Sequence, residues 1–238
     1  ASEMYAIACS FGLSAGTNQS WIEISGLSEN MGKAMEIVEG LIAGAQPNEE
    51  ILQNLKGDMI KSRADAKLNQ SRCFGALQRY MIYGSDFIRR TTLTDPALQG
   101  LTSEQLLAKI GDLMGKQHEV LYYGPQDEAE VKAALTAHHK VAADLQPLEK
   151  KFSTLQPTDE NKVMLAQYDA KQLYYMQYSN RGEKFDLAAD PQITLYNEYF
   201  GGGMNTIVFQ EMREARGLAY SAWANLAIPT NAKGDYYY

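Results

Sequence analysis

The sequence predicts an α+β fold, with strands and helices in separate stretches of chain. Three observations carry this expectation. An alternating run at 5–11 is followed by another at 20–25, and a block of helix-period segments fills most of the chain from Met31 to the strand-like run at 118. Strand-like runs return at 118–124, 162–168, 172–178 and 218–228, again beside helical segments. Such segregation points to packed α+β layers and away from the strict strand–helix alternation of a doubly wound sheet.

Each element follows from its residues. Tyr5, Ile7, Cys9 and Phe11 would share one strand face, and Ile22 with Ile24 another; "SAGTN" (14–18) joins them as a hairpin. Met31, Ala34, Met35, Val38, Leu41 and Ile42 recur at helical spacing, with the methionines read as core filler. A second helix is expected after Pro47, with Asn48 as N-cap and Ile51, Leu52, Leu55 and Met59 as its apolar stripe. Cys73, Phe74, Leu77, Tyr80 and Met81 mark a third. Thr102 opens a fourth, with Gln105 completing a capping box and Leu101 and Leu106 forming a staple. "HEVLYYG" (118–124) reads as a buried strand, and a short helix follows over 127–138.

The stretch 141–161 is polar, holds Pro147 and Pro157, and lacks a clean period. It predicts a first segment over 1–142, a linker at 143–161 and a second segment over 162–238. In the second, Asp190-Pro191 predicts a helix start with Asp190 as N-cap, ending at Gly201-Gly202-Gly203. A further helix is expected from Asn205 to Arg216, stopped by Gly217, then a strand "LAYSAWANLAI" and the beginning of another in "GDYYY". The aromatic end, and a beginning almost inside a strand pattern, lead us to expect a piece of a longer protein.

Bulk properties exclude several functions. The 238 residues carry a net charge of −7, which opposes a nucleic-acid groove. No apolar run reaches the length of a membrane span. Cys9 and Cys73 form neither a disulfide framework nor a metal spacing, and both are expected to be buried thiols. The triple glycine lacks the Gly-x-x-x-x-Gly-Lys of a phosphate loop and reads as a tight corner between helices. Of the three histidines, His118 starts a strand, and the adjacent His138 and His139 cannot face one ligand point from a helix. The residues therefore predict no metal site. No Ser/His/Asp or Cys/His order stands out. Arg213 and Tyr220 remain: a guanidinium near a helix end and a phenol seven residues later, at the start of a strand. Taken alone, they are explained by the helix dipole and by the strand preference of tyrosine.

Around them, "FGGGMNTIVFQEMREARGLAYSAW" (200–223) resembles a signature of the insulinase/pitrilysin family of zinc metallopeptidases, the inverzincins. The likeness is long and specific over 201–221, and weaker in "ISGLSENMGKAMEIVEGLI" (24–42) and "HEVLYYGP" (118–125). The resemblance implies two incomplete copies of a metallohydrolase-type domain, each a mixed or antiparallel sheet with helices on one face, within the non-zinc half of a clamshell that encloses a peptide. It implies that Arg213 and Tyr220 reach substrate bound at zinc on the other half. That zinc would be held by His-x-x-Glu-His, a motif absent here. Where the family's catalytic domain carries two glutamates seven apart, this chain has Asn54 and Lys61, and a lysine at a ligand place opposes zinc. The expected role is a C-terminal-half piece of a zinc endopeptidase, inactive alone, that binds peptide substrate and requires the zinc-binding half in the same chain or as a partner subunit. The alternatives are a zinc-free partner of a separate catalytic subunit, and a structural or assembly protein with the same fold. Bacterial members of the family suggest an envelope location; the residues themselves specify no compartment.

Overall fold

The computed structural model describes residues 2–16, 19–148, 155–228 and 237–238. They form two compact units: Ala1–Ser62 with Leu93–Lys151, and Arg63–Thr92 with Phe152–Tyr238. This division differs from the contiguous one expected, because residues 63–92 group with the second unit. The stretch 149–154 of the expected linker lies outside the described residues.

The first unit opens with helix α1 (Ser2–Ala6) and the antiparallel hairpin β1 (Cys9–Ala15) and β2 (Ser20–Gly26), in register from Cys9↔Gly26 to Ala15↔Ser20. The hairpin expectation holds, but its first strand starts later than the alternation implied. Tyr5 lies on α1 and is exposed. Ile7 and Ala8 turn the chain through bonds to the Met4 and Tyr5 carbonyls, and Ala8 takes a positive φ of 50°. Alternation of small and apolar residues marked one face without marking where a ladder partner begins.

Helix α2 (Met31–Ala43) buries Ala34, Met35 and Val38 as its spacing requires. Ala34 and Val38 join Met4 and Cys9 in the core, with Ile7, Ile24, Ile37 and Ile42 packed around it. Helix α3 (Glu49–Lys67) begins as expected, the Asn48 side chain accepting from the Ile51 amide at 2.9 Å. After α5 (Asp95–Gln99), α6 (Ser103–Met114) carries the expected Thr102/Gln105 capping box, and α7 (Glu128–His138) carries another built from Asp127 and Glu130. Lys56 is buried, its ammonium donating to the Gln99 and Leu101 carbonyls at 2.9 and 2.5 Å.

The second unit contains α4 (Gln70–Thr91), which breaks at Gly84, where φ is 75°. Extended chain lies along it. The Ile82 carbonyl accepts from the Gln156 amide at 2.7 Å, the Tyr168 hydroxyl donates to the Leu68 carbonyl, and Phe74 stacks on Tyr174 at 5.4 Å. These contacts are why 63–92 belongs with the second unit. Cys73 is only half-buried, a correction to the expected buried thiol; its Sγ lies 3.4 Å from the Lys67 carbonyl, against the preceding turn.

Helix α8 (Asp190–Phe200) starts one residue early: Ala189 is the N-cap, and Asp190 and Pro191 lie in the first turn. A 3-10 turn at Leu187–Ala189, capped by the Asp186 side chain, supplies the start expected of Asp190. Gly201 ends α8, and a Cβ on it would strike the Ala224 backbone, so the glycine corner reflects close approach. The Asn197 amide group clamps the returning chain, donating to the Leu226 carbonyl at 2.9 Å and accepting from its amide at 2.8 Å.

The described residues are thus helix-rich with one small antiparallel sheet, α+β in the general sense. The strands expected at 118–124, 162–168, 172–178 and 218–228 are not formed. A strand needs a ladder as well as extended dihedrals, and the bonds found here are isolated ones: the Ala224 amide donates to the Gly201 carbonyl that ends a helix, and the Tyr178 hydroxyl donates to the Gln156 carbonyl. Val120, Leu121 and Tyr123 stand exposed, the opposite of the buried strand expected at 118–124. Most of "GDYYY" lies outside the described residues; Tyr237 is buried, its hydroxyl donating to the Asp186 carbonyl. No described helix is long and apolar enough to cross a membrane.

Candidate functional site

The local geometry around Arg213 departs from the uniform helix expected over 205–216. One α-helical turn, α9 (Ile207–Phe209), passes into a π-helical turn at Gln210–Ala215. Thr206 opens it, its amide and hydroxyl both donating to the Gly203 carbonyl, and the Gln210 side chain donates to the Met204 carbonyl at 2.8 Å. π-helical turns are rare and concentrate at functional positions.

The turn closes on Gly217. Its amide donates to the Arg213 carbonyl at 3.0 Å, and the Leu218 amide donates to Met212 at 2.9 Å. Gly217 sits at φ 60°, the left-handed conformation that ends many helices. The chain then reverses, and Tyr220 comes back over Arg213. The guanidinium carbon of Arg213 lies 4.7 Å from the Tyr220 ring centre and 4.9 Å from that of Phe209. Phe209 and Arg213 are four apart on one face, and Tyr220 supplies the second ring from beyond the turn.

The structure therefore brings the two expected site residues together. Two aromatic rings lie against the planar cation, a favourable arrangement that orders a long side chain. Its N–H donors lie in the guanidinium plane, so contacts to its faces leave donors at its edge. One of these, Nε, approaches Glu214 at 3.6 Å. Tyr220 is 86% exposed, and among the described residues its hydroxyl has no hydrogen-bond partner. Leu218 and Trp223 on the same returning segment are also exposed. The arrangement presents a phenol and a guanidinium edge on an apolar surface, able to donate to an oxygen that carries or develops negative charge.

Elsewhere, Asn54 and Lys61 stand exposed on α3. Among the described residues no group of three or more His, Cys, Asp or Glu is placed to hold a metal ion. The histidines take partners that their spacing did not announce. His138 Nδ1 meets Glu36 at 3.0 Å, and that hydrogen bond, with Lys33, holds the Glu36 carboxyl below its ordinary range. His139 turns to Glu39 and also to His118, twenty-one residues earlier. No local motif signals these partners; the packing of α7 beside α2 brings His138 and His139 to Glu36 and Glu39.

No protein-family model matches the chain, and no curated protein matches its sequence.

Proposed function

We propose that this chain is the substrate-binding, non-zinc half of a peptidase of the insulinase/pitrilysin type. In that reading Arg213 and Tyr220 donate hydrogen bonds to the carbonyl oxygen of the bound peptide and to the oxyanion formed on attack. The segments 1–142 and 162–238 are, in the same reading, parts of two metallohydrolase-type domains. The observation that carries the proposal is the placement of the Arg213 guanidinium 4.7 Å from the exposed Tyr220 ring, within the segment that resembles the family signature.

The chemistry needs these two groups for stated reasons. A phenol is a single directional donor, and a guanidinium is a fixed positive charge with several donors. Both strengthen their bonds as the oxygen gains charge, which is the condition for lowering a barrier. The tight Gly217 turn spares the site the cost of ordering them at each turnover. Zinc does not fit this chain: the exposed Lys61 offers an ammonium at the ligand place, and Asn54 stands at the place of the companion glutamate. The metal chemistry belongs to the complementary half, in the same natural chain or in a separate subunit. The acidic balance of −7 favours basic peptides among the unfolded substrates.

An antibody to this chain tests the proposal in an extract of the source cells. The reading expects a species several-fold heavier than 26.5 kDa, or a lighter one that co-purifies with a His-x-x-Glu-His subunit. In either form it cleaves an unfolded peptide, and a chelator abolishes the cleavage. A protein near 26.5 kDa without a partner and without peptide affinity would overturn the proposal in favour of a structural role.

A further inference from the structure

The hairpin of the first unit carries an inference independent of the peptidase reading. Among the described residues β1 pairs only with β2, so β1 presents a free edge. The register shows which groups line that edge. The Gly16 amide donates to the Gln19 carbonyl at 2.8 Å, one position beyond the Ala15↔Ser20 pair. Bonded and non-bonded pairs alternate along an antiparallel ladder. Ser14↔Trp21, Gly12↔Glu23 and Ser10↔Ser25 are therefore the bonded pairs, and Cys9, Phe11, Leu13 and Ala15 turn their N–H and C=O groups outward. The close approach at Cys9↔Gly26, where a Cβ on the glycine would strike Cys9, agrees with a non-bonded pair.

The same register sorts the side chains. Cys9, Phe11, Leu13, Ile22 and Ile24 share one face. At the base of the hairpin that face is covered, with Cys9 and Ile24 packed among Met4, Ala34 and Val38. Toward the tip it is bare: Phe11, Leu13 and Ile22 are 37%, 63% and 48% exposed. Edge strands are normally guarded by a charge, a proline or a bulge. The β1 sequence "CSFGLSA" has no charge and no proline, and its register is unbroken. β2, by contrast, carries Glu23 and packs against α2.

We propose that the free edge of β1 is an interface for a second copy of this chain, the two β1 strands pairing antiparallel about a twofold axis at Gly12. This register sets Phe11 opposite the second copy's Leu13, and Cys9 opposite the second copy's Ala15. All the outward groups then find partners, since each such pair exchanges two bonds. One row of side chains runs through Ile24, Phe11, the second copy's Leu13 and the second copy's Ile22. The bare tip of each hairpin thus lies beside the covered base of the other, and this complementarity selects a second copy as the occupant. Charge permits the contact. The two Glu23 side chains stand three strand spacings apart, about 14 Å, beyond the screening length of about 8 Å. A contact that uses the same strand on both sides closes at two copies. Only seven residues of each chain take part, so the dimer belongs with weak interfaces, with a Kd in the micromolar range.

Sedimentation velocity of the whole chain tests this, from about 1 to about 100 μM to bracket that Kd. The proposal expects a dimer that grows with concentration. The Phe11 and Leu13 amides should exchange more slowly as it forms, while the Gly12 amide, already bonded within the hairpin, changes little. Leu13→Lys puts a natural edge guard on an exposed position, so the hairpin should survive and the dimer weaken by about tenfold or more. Leu13→Glu should act alike. The two position-13 side chains lie diagonally across the twofold axis, about 7–8 Å apart, so mixing the lysine and glutamate variants should restore the dimer. Protection of the Gly12 amide shows that the hairpin is intact in each variant. A parent chain that stays monomeric over the whole range would overturn the proposal. So would a dimer that both variants leave unchanged, or a mixture of the two variants that remains monomeric.

Discussion

Gly217→Ala is the substitution that most sharply separates backbone geometry from packing at the Arg213–Tyr220 turn. Gly217 sits at φ 60°, and a Cβ placed on it meets nothing within 4 Å. The cost must therefore come from the left-handed backbone alone, about 1–2 kcal/mol for an alanine. The stiffer unfolded chain of alanine raises the free energy of that state and recovers about 0.4–1 kcal/mol of stability. The net loss is about 1 kcal/mol, roughly a fivefold rise in the population of the opened turn. Native-state hydrogen exchange reads it directly, because the Gly217 and Leu218 amides are the two that close the turn onto Arg213 and Met212. Both should exchange roughly fivefold faster in Gly217→Ala. Gly217→Asn should fall between, since asparagine tolerates this conformation better than alanine. Gly203→Ala, which has equal space and no positive φ, should change little. If Gly217→Ala exchanged like the parent, or asparagine cost more than alanine, the backbone argument would be refuted.

Three further outcomes follow from single contacts. Lys56→Met should cost about 1–3 kcal/mol, seen as a lower urea midpoint, because it leaves the Gln99 and Leu101 carbonyls without their shared donor. Asn197→Asp should speed exchange of the Leu226 amide by roughly tenfold or more, since the new oxygen faces the Leu226 carbonyl that the amide nitrogen now bonds. The Ser103 amide and hydroxyl hold the Glu49 carboxyl below its ordinary value of 4.5. Its contribution is therefore complete above that pH and is lost as the pH falls through the lowered folded value. Urea midpoints from pH 7 to 3 should show this acid loss, and Glu49→Gln should remove that part of it.

How legible the molecule is depends on how local each feature is. The Asn48 cap, the Thr102–Gln105 box and the Gly201 and Gly217 stops each depend on a few neighbouring residues, and each is found where the sequence places it. Asp190-Pro191 signals the right helix, but the preceding 3-10 turn takes the cap away from Asp190. The failures are the strands. An alternating pattern such as 172–178 specifies an extended chain, whereas a sheet also needs a partner edge, and that partner is set by distant residues. The site divides in the same way. Arg213 and Tyr220 span one turn, so their spacing alone brings them near each other. The π-helical turn that bears Arg213 has no sequence signal we recognise. His118 and His139 lie far apart in sequence and on unrelated elements, so nothing local joins them. Their partner Glu39 reads in the sequence as one more solvent-facing acid on a helix.

The central claim is that Arg213 and Tyr220 act together on substrate oxygen. The most direct measurement is kcat/KM for an unfolded peptide, using the natural peptidase that contains this chain, alone and as Arg213→Ala and Tyr220→Phe. Loss of one oxyanion donor should lower kcat by about 100- to 1,000-fold, with zinc content and KM little changed. Tyr220→Phe keeps the ring beside the guanidinium and removes only the O–H, so its loss would isolate the hydrogen bond from the packing. Unchanged kcat/KM in both variants would contradict the account.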